Sequence, residues 1–154
     1  MQQLDNSSYK HLFKTDTEFK KFLEDENTDN RTFTRRQKHV CWHKSRTIIG
    51  RDPNRWKFDP VGNPVLRNLR GCFGALCHEY DHIVPYSKEG KTVVSNCQIL
   101  QTGVNRFKSN KTYSDRNLQL SSKVIGMTDS EMDLMEYAVF GNVTEEKDFK
   151  PNKI

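Results

Sequence analysis

The sequence predicts an α+β fold, because residues with strand spacing and residues with helical spacing follow one another along a short chain. The clearest segment runs from Cys77 to Lys111, where two β-prone runs flank a turn at Ser87–Gly90. After Gln101 the apolar residues recur at helical intervals. We therefore expect a core of strand, loop, strand and helix, with Gly90 adopting a positive φ in the turn.

A second hairpin is predicted just before this core. Trp56 and Phe58 lie on one β-prone run, Val65 lies on the next, and a Pro-Val-Gly-Asn turn separates them. A Trp in a basic surrounding either packs in the core or stacks on a base or sugar, and we expect Trp56 to be core. A further short turn is expected after Ser114.

Three helices are predicted around these hairpins, each from apolar residues at helical spacing behind a capping residue. Thr34 caps the second of them, and Gly50 is its stop signal. Thr128 and Glu131 form a capping box for the third, which Gly141 ends. The expected ranges are about 16–26, 34–48 and 128–141.

Length and composition favour one domain. A chain of 154 residues with 34% hydrophobic content can bury one modest core. We expect a polar N-terminal segment with a short helix over 1–33, a main domain over 34–143 with its core at about 77–111, and a polar tail over 144–154. The chain has no apolar run long enough to cross a membrane and no signal peptide pattern, so a soluble intracellular protein is expected, in nucleus, cytoplasm or organelle.

The charge is distributed unevenly. Residues 1–33 contain five Lys and Arg against seven Asp and Glu, a net charge of −2, whereas residues 34–57 contain eight against one, a net charge of +7. A block this basic is typical of a solvated helix face or of a surface that binds a polyanion. The candidate nucleic-acid contacts in and beyond this block are Arg35, Arg36, Lys38, Arg51, Arg55, Arg106 and Lys111.

A group of polar residues in the core segment points to hydrolysis of phosphodiesters. Asp81 and His82 are adjacent, Asn96 follows His82 by fourteen residues, and Asn105 and Lys108 lie in the predicted helix. These residue types and spacings resemble the ββα-metal core of the HNH endonucleases, in the variant whose third signature residue is Asn. The runs GRDPNRWKFDPVGN and EYDHIVPYSKEG also resemble a small eukaryotic, plant-type group of HNH proteins, from about residue 35 to about residue 143.

The chemistry of these residues explains the pattern. His82 is largely neutral at physiological pH and can accept a proton from water as a general base. The carboxylate of Asp81 and the amide oxygen of Asn105 suit a single Mg²⁺ or Mn²⁺ ion. The resemblance implies that Asn96 ties the loop backbone so that His82 is aimed correctly, and that Lys108 contacts a phosphate. In an ideal strand Asp81 and His82 would point to opposite faces, so a shared site requires a twisted or ending strand.

Three other features leave alternatives open. His39 and His43 are four residues apart on a predicted helix. They either bind one metal ion together or, as we expect, lie near phosphates. Glu79 either approaches the metal through water or pairs with an Arg. Four cysteines are expected to be mainly reduced, either buried as small apolar residues or holding a structural zinc ion: Cys41, Cys72, Cys77 and Cys97.

The resemblance implies a metal-dependent endonuclease that acts on DNA, as a monomer or weak dimer, and RNA stays open as a substrate. A single-metal site suits cleavage of one strand at a time, whereas cleavage of both strands would require a dimer or two successive nicks. The chain has no separate recognition domain, so a loose sequence preference is expected. Two alternatives are an HNH-fold module that binds DNA but cleaves it poorly, and a zinc-braced domain whose partner is a protein.

Overall fold

A computed structural model describes residues 5–112, 126–150 and 153–154, and these residues form a mixed α+β architecture. The first two strands form the predicted hairpin, and the other two form the central ribbon of the core. The strands are β1 (Trp56–Phe58), β2 (Pro64–Leu66), β3 (His78–His82) and β4 (Cys97–Gln101). The described helices are α1 (Asp16–Asp25), α2 (Arg35–Lys44), α3 (Thr102–Lys108) and α4 (Asp129–Phe140).

The predicted order of strand, loop, strand and helix in the core is confirmed. Strands β3 and β4 pair antiparallel, with His78 opposite Gln101 and His82 opposite Cys97. Helix α3 begins directly after β4, and the Gln101 side chain accepts a hydrogen bond from the Val104 N–H at 3.0 Å, which satisfies one free amide of the first turn. This junction fixes the side of the ribbon on which α3 lies.

The loop between these strands differs from the predicted tight turn. Strand β3 ends at His82, whereas the β-prone run was expected to continue to Pro85. The second run was expected to include Thr92–Val94 and Gln98–Leu100, but β4 covers only the latter part and Val94 lies in a 3-10 helix. Glu89, not Gly90, adopts the positive φ, at 65°. Gly90 is required for another reason: a Cβ atom there would lie 1.7 Å from the Val84 carbonyl oxygen. The loop therefore folds back on itself instead of reversing in four residues.

The second hairpin is confirmed, and so is the core position of Trp56. Strand β1 pairs antiparallel with β2, and the Asp59 carboxylate accepts hydrogen bonds from the backbone of the turn. The Trp56 side chain is fully buried against Leu66, Leu76 and Met132. A ring with no exposed surface is not free to stack on a base.

The N-terminal part packs against the main domain. Phe22 of α1 is fully buried in one cluster with Phe13, Val40 and Val94. Helix α2 begins at the predicted Thr34 cap but ends at Lys44, earlier than expected. The chain then becomes extended, because the Arg46 carbonyl accepts a hydrogen bond from the Phe58 N–H at 2.8 Å and bridges to the hairpin.

Helix α4 has the predicted capping box of Thr128 and Glu131 and ends at Gly141, which adopts φ 81°. The tail returns to the N-terminal part, where Ile154 exchanges backbone hydrogen bonds with Leu12 and Lys14. The turn expected after Ser114 lies outside the described residues. Among the described helices, none is both long and apolar enough to cross a membrane.

The cysteines do not form the four-thiolate zinc site. Cys72 and Cys77 are joined by a disulfide bond, with Cα atoms 5.4 Å apart, so the expectation of four reduced thiols is wrong for this pair. Cys41 and Cys97 are free and buried in the core cluster. Cys77 precedes β3 and Cys97 lies opposite the far end of that strand, so the ribbon separates the two pairs.

Candidate active site

His82 lies at the end of β3, with its ring between a buried aromatic ring and a buried hydroxyl. The imidazole stacks on Phe33 with ring centroids 4.4 Å apart, and its Nε2 atom lies 2.9 Å from Thr92 Oγ1. Burial lowers the pKa of His82 below its usual value, which keeps the ring neutral near pH 7. When Nε2 donates to Thr92, the Nδ1 atom keeps a lone pair that can accept a proton from water.

Asn96 holds the loop that follows His82. Its Oδ1 atom accepts a hydrogen bond from the Val84 N–H at 2.8 Å, and its amino group donates to the carbonyl oxygens of Val84 and Lys91 at 3.0 and 2.9 Å. The Asn96 carbonyl also accepts from the Ile83 N–H at 2.9 Å. These four bonds fix the backbone on the C-terminal side of His82, which is the place that the resemblance implies for this residue.

Side chains with carboxylate and amide oxygens lie on the other face of β3, toward α3. Glu79 and Asp81 share this face by strand alternation. Asn105 of α3 donates its amino group to Glu79, and Gln98 donates to Asp81 Oδ2 at 2.9 Å. The hydrogen bonds of Asp81 and Asn105 within the described residues leave Oδ1 of each side chain with its lone pairs. A carboxylate and an amide oxygen of this kind fit a hard divalent cation such as Mg²⁺ or Mn²⁺.

Lys108 does not lie where a phosphate contact requires it. Its side chain is 1% exposed, and its ammonium group donates to Asp81 Oδ2 at 2.9 Å and to the His82 carbonyl oxygen at 3.0 Å. A buried ammonium held by two oxygens is not available to a substrate. Lys108 is therefore an internal brace that joins the end of β3 to α3.

The two faces of β3 meet at its free edge. Within the described residues β3 forms its ladder with β4 alone, apart from one bridge between Arg70 and His78. A cavity of about 400 Å³ lies at this edge, and both His82 and Glu79 line it. Three cations line this cavity together with three side chains of β3. The cations are Arg31, Lys38 and Arg70, and the β3 residues are Glu79, Tyr80 and His82. Glu79, which accepts a hydrogen bond from Asn105, therefore shares this cavity with the imidazole. Asp81 and Asn105 do not line the cavity, so Asp81 and His82 stay on opposite faces of the strand as alternation predicts.

Only part of the expected basic contact set faces this site. Arg35 and Lys38 line a cavity of about 740 Å³ that adjoins the first one. Arg36 instead pairs with Asp25 of α1 at 2.7 Å. Arg106 is half-exposed over the Phe73 ring at 4.2 Å, and Lys111 is exposed, so the nucleic-acid contacts expected of these two remain predictions.

Arg51 and Arg55 are structural, which corrects the expectation that they contact phosphates. Arg51 is 9% exposed and its guanidinium lies 2.5 Å from a carboxylate oxygen of Asp133. Arg55 lies 3.3 Å from Glu136 and 2.8 Å from the amide oxygen of Asn142. Both side chains are directed into the network that holds α4.

The residues around the site that were not singled out in the sequence include Arg31, Phe33, Arg67, Arg70 and Thr92. The sequence contains a signal for Arg67 and Arg70, since residues 60–78 include both of them and no Asp or Glu. Thr92 has no such signal, because its closeness to His82 depends on the folded loop. His39, which was expected near phosphates, lines the larger cavity, where its Nδ1 atom accepts from Arg67 at 2.8 Å.

His39 and His43 do not form a metal pair. The Nε2 atom of His39 lies 3.1 Å from the Leu12 carbonyl oxygen and its Nδ1 atom accepts from Arg67, so both ring nitrogens are occupied. Burial lowers the pKa of His39 to about 4 and that of His43 to about 3. Both rings are neutral under physiological conditions.

Among the described residues, no three or more His, Cys, Asp or Glu side chains are grouped to hold a metal ion. A site of one carboxylate and one amide oxygen, completed by water and phosphate, does not require such a group. No family model, curated protein or solved structure matches this chain.

Proposed function

We propose that this chain is a metal-dependent endonuclease that hydrolyses phosphodiester bonds in DNA. One observation carries the proposal: the neutral imidazole of His82 lines a cationic cavity at the edge of a strand that also carries the Asp81 and Glu79 carboxylates. A polyanionic substrate is attracted to such a cavity, and a base beside the bound phosphate can activate the attacking water.

The chain's own residues supply most of the chemistry. His82 Nδ1 accepts a proton from water while Thr92 holds the far side of the ring. The cations around the cavity bind the phosphate and oppose the charge that grows on it as the water attacks. Asp81 and Asn105 would hold one Mg²⁺ or Mn²⁺ ion, which supplies Lewis-acid stabilisation of the phosphate and of the leaving oxygen. A single such site acts on one strand at a time.

A supercoiled-plasmid assay tests this proposal. The wild-type protein is incubated with Mg²⁺, with Mn²⁺ and with EDTA, beside His82→Ala. We expect nicked circles only with a divalent metal, and a loss of about a hundredfold or more in the variant, because a positioned general base contributes about 10²–10⁴ in rate.

His11→Ala is the matched control, because His11 is exposed and lies in the N-terminal 3-10 helix. This variant should cleave at the wild-type rate. Equal activity of His82→Ala and wild type would exclude His82 as the base. Cleavage that persists in EDTA would exclude the metal-dependent reaction.

A second candidate function is a DNA-binding module with weak or no cleavage. The observation that favours it is the buried Lys108 ammonium, which already occupies Asp81 Oδ2 at 2.9 Å. The Lys108 ammonium would compete with a metal ion for the Asp81 carboxylate. This function predicts a gel shift with the plasmid fragment but no nicked product with either metal. Since the cysteines form two separate pairs, the zinc-braced alternative has no four-thiolate site to rest on.

A further inference from the structure

We infer that the larger cavity beside the candidate active site binds a phosphodiester of the same nucleic-acid strand that reaches His82, with Arg67 and Arg70 as its principal cations. This inference rests on the proposed function and extends it to residues outside the core segment of strand, loop, strand and helix. The two adjoining cavities are called the basic groove below.

The first argument is charge. The larger cavity, of about 740 Å³, has one carboxylate side chain in its wall, that of Glu18. That carboxylate is also 3.6 Å from the guanidinium of Arg36, which lies outside the wall. The cations in the wall are Lys14, Arg35, Lys38, Arg67, Arg70 and Lys153. So many cations with so little negative charge form a site for an anion.

The second argument is the state of Arg67. Its guanidinium lies over the Trp42 ring at 5.5 Å, and its Nη2 atom donates to His39 at 2.8 Å. Its Nη1 atom is buried and has no hydrogen-bond partner in the described part of the chain. A buried donor without an acceptor is costly. The guanidinium lies in the cavity wall and is already oriented by stacking on Trp42. A phosphate oxygen that satisfies Nη1 would need a local shift of the atoms that now cover it.

The protonation energetics support this reading. Burial lowers the pKa of Arg67, and burial together with the charge of Arg70 lowers the pKa of Lys38. Both shifts mean that the positive charges lack compensation in the folded protein. An anion bound in the larger cavity would supply that compensation.

The third argument is continuity. Three residues line both cavities: Lys38, Arg70 and Tyr80. A strand whose scissile phosphate lies near His82 therefore passes a shared cationic wall as it enters the larger cavity. Neighbouring phosphates of one strand are the ligands that such a row of cations fits, since each carries one negative charge. An isolated small anion would fill only one of the two cavities.

The test is DNA binding without cleavage. Fluorescence anisotropy with a labelled DNA duplex, in EDTA, compares the wild type with Arg67→Met and Arg70→Gln. We expect each variant to bind about tenfold more weakly, as for loss of a charge-assisted hydrogen bond. The slope of log K against log salt should also decrease by about 0.9 for each phosphate that the variant no longer neutralises.

The matched control is Arg46→Gln, because Arg46 is an exposed arginine that lies over Phe58 at 4.7 Å and outside the basic groove. This variant removes the same charge and should bind like the wild type. Arg70 is exposed, so Arg70→Gln reports on the groove even where Arg67→Met disturbs the packing against Trp42.

The plasmid assay separates this inference from the proposed function. Metal-dependent nicking by the wild type, with unchanged DNA binding in both groove variants, would overturn the inference and leave the nuclease intact. Weakened binding in the groove variants but not in Arg46→Gln would uphold the groove even where the wild type does not cleave. Reduced affinity for inorganic phosphate alone, with DNA binding unchanged, would assign the cavity to a small anion and overturn the inference.

Discussion

Two pairs of arginines lie on the same scaffold and differ in what surrounds them. Arg51 and Arg55 meet the carboxylates of α4, of which Glu136 is fully buried. Arg67 and Arg70 form no ion pair within the described residues, and both line the basic groove. The first pair, with Glu136 and Trp56, is called the α4 anchor here. The arginines whose charge is matched internally hold the fold together, whereas the unmatched pair is the one that we propose binds a ligand.

The largest effect on stability is expected from removing Glu136, the central residue of the α4 anchor. Glu136 accepts from Trp56 Nε1 at 2.6 Å and from the Thr144 N–H at 2.7 Å, besides its ion pairs. Glu136→Ala leaves these buried donors without an acceptor, so the free energy of unfolding should fall by about 4 kcal/mol. Urea unfolding measures this change. Glu145→Ala is the control, since Glu145 is 69% exposed and its pair with Lys147 should contribute under about 1 kcal/mol.

The second prediction concerns the stability of the protein at low pH, which depends on His39 in the wall of the basic groove. The pKa of His39 is about 4 in the folded protein, because of burial and then of Arg67, against 6.5 for the free side chain. Between these values the unfolded chain binds a proton that the folded chain does not, so stability decreases as pH falls from about 6.5 to 4. His39→Gln should reduce this acid-dependent loss by about 3 kcal/mol. Urea midpoints at several pH values measure it, and a wild-type pH profile in the variant would contradict the assignment.

The third prediction compares one arginine from each pair. Arg51→Gln removes a bond of 2.5 Å to Asp133 and one of 2.9 Å to the Asp129 carbonyl, and should lower the free energy of unfolding by about 2 kcal/mol. Arg70→Gln removes a charge that forms no ion pair within the described residues, so stability should change by less than about 0.5 kcal/mol. Similar losses in both variants would mean that Arg70 has a structural role as well.

The smallest expected effects compare two threonines. Thr92→Val removes the hydrogen bond to His82 and should lower kcat by about tenfold at unchanged KM, with Thr92→Ser restoring most of the rate. Thr128→Ala removes the cap of α4 and should cost about 1 kcal/mol of stability with no change in kcat. A fall in stability without a fall in kcat for Thr92→Val would show that Thr92 packs the loop rather than orienting the imidazole.

The parts of the fold that could be predicted are those fixed by local signals. The cap at Thr34, the capping box at Thr128 and the order of the core segment depend on residues close together in the chain. The early end of α2 could not be predicted, because Arg46 leaves the helix to pair with Phe58 of the hairpin. The positive φ of Glu89 could not be predicted either. It belongs to a loop in which the Gly90 backbone lies close to the Val84 carbonyl, and that contact exists only in the folded loop.

The candidate site shows the same division. The resemblance implied that Asn96 ties the loop backbone, and Asn96 makes four hydrogen bonds with that loop. The burial of Lys108 could not be predicted, because helical spacing does not show which lysine side chain packs against β3. The roles of Arg51 and Arg67 depend on acidic residues far away in the sequence. Arg51 pairs with acidic residues of α4, whereas Arg67 forms no ion pair within the described residues. A basic sequence block therefore indicates a total charge but not the direction of each side chain.

The return of the tail to the N-terminal part has a practical consequence for handling the protein. Lys153 and Ile154 line the larger cavity, and Ile154 is held there by backbone hydrogen bonds to Leu12 and Lys14. Any segment that directly follows Ile154, such as a purification tag, would begin in the wall of the basic groove, where an acidic epitope would mimic a polyanion. Assays of DNA affinity are therefore best made with tags removed, and a difference between tagged and untagged samples would itself report on the groove.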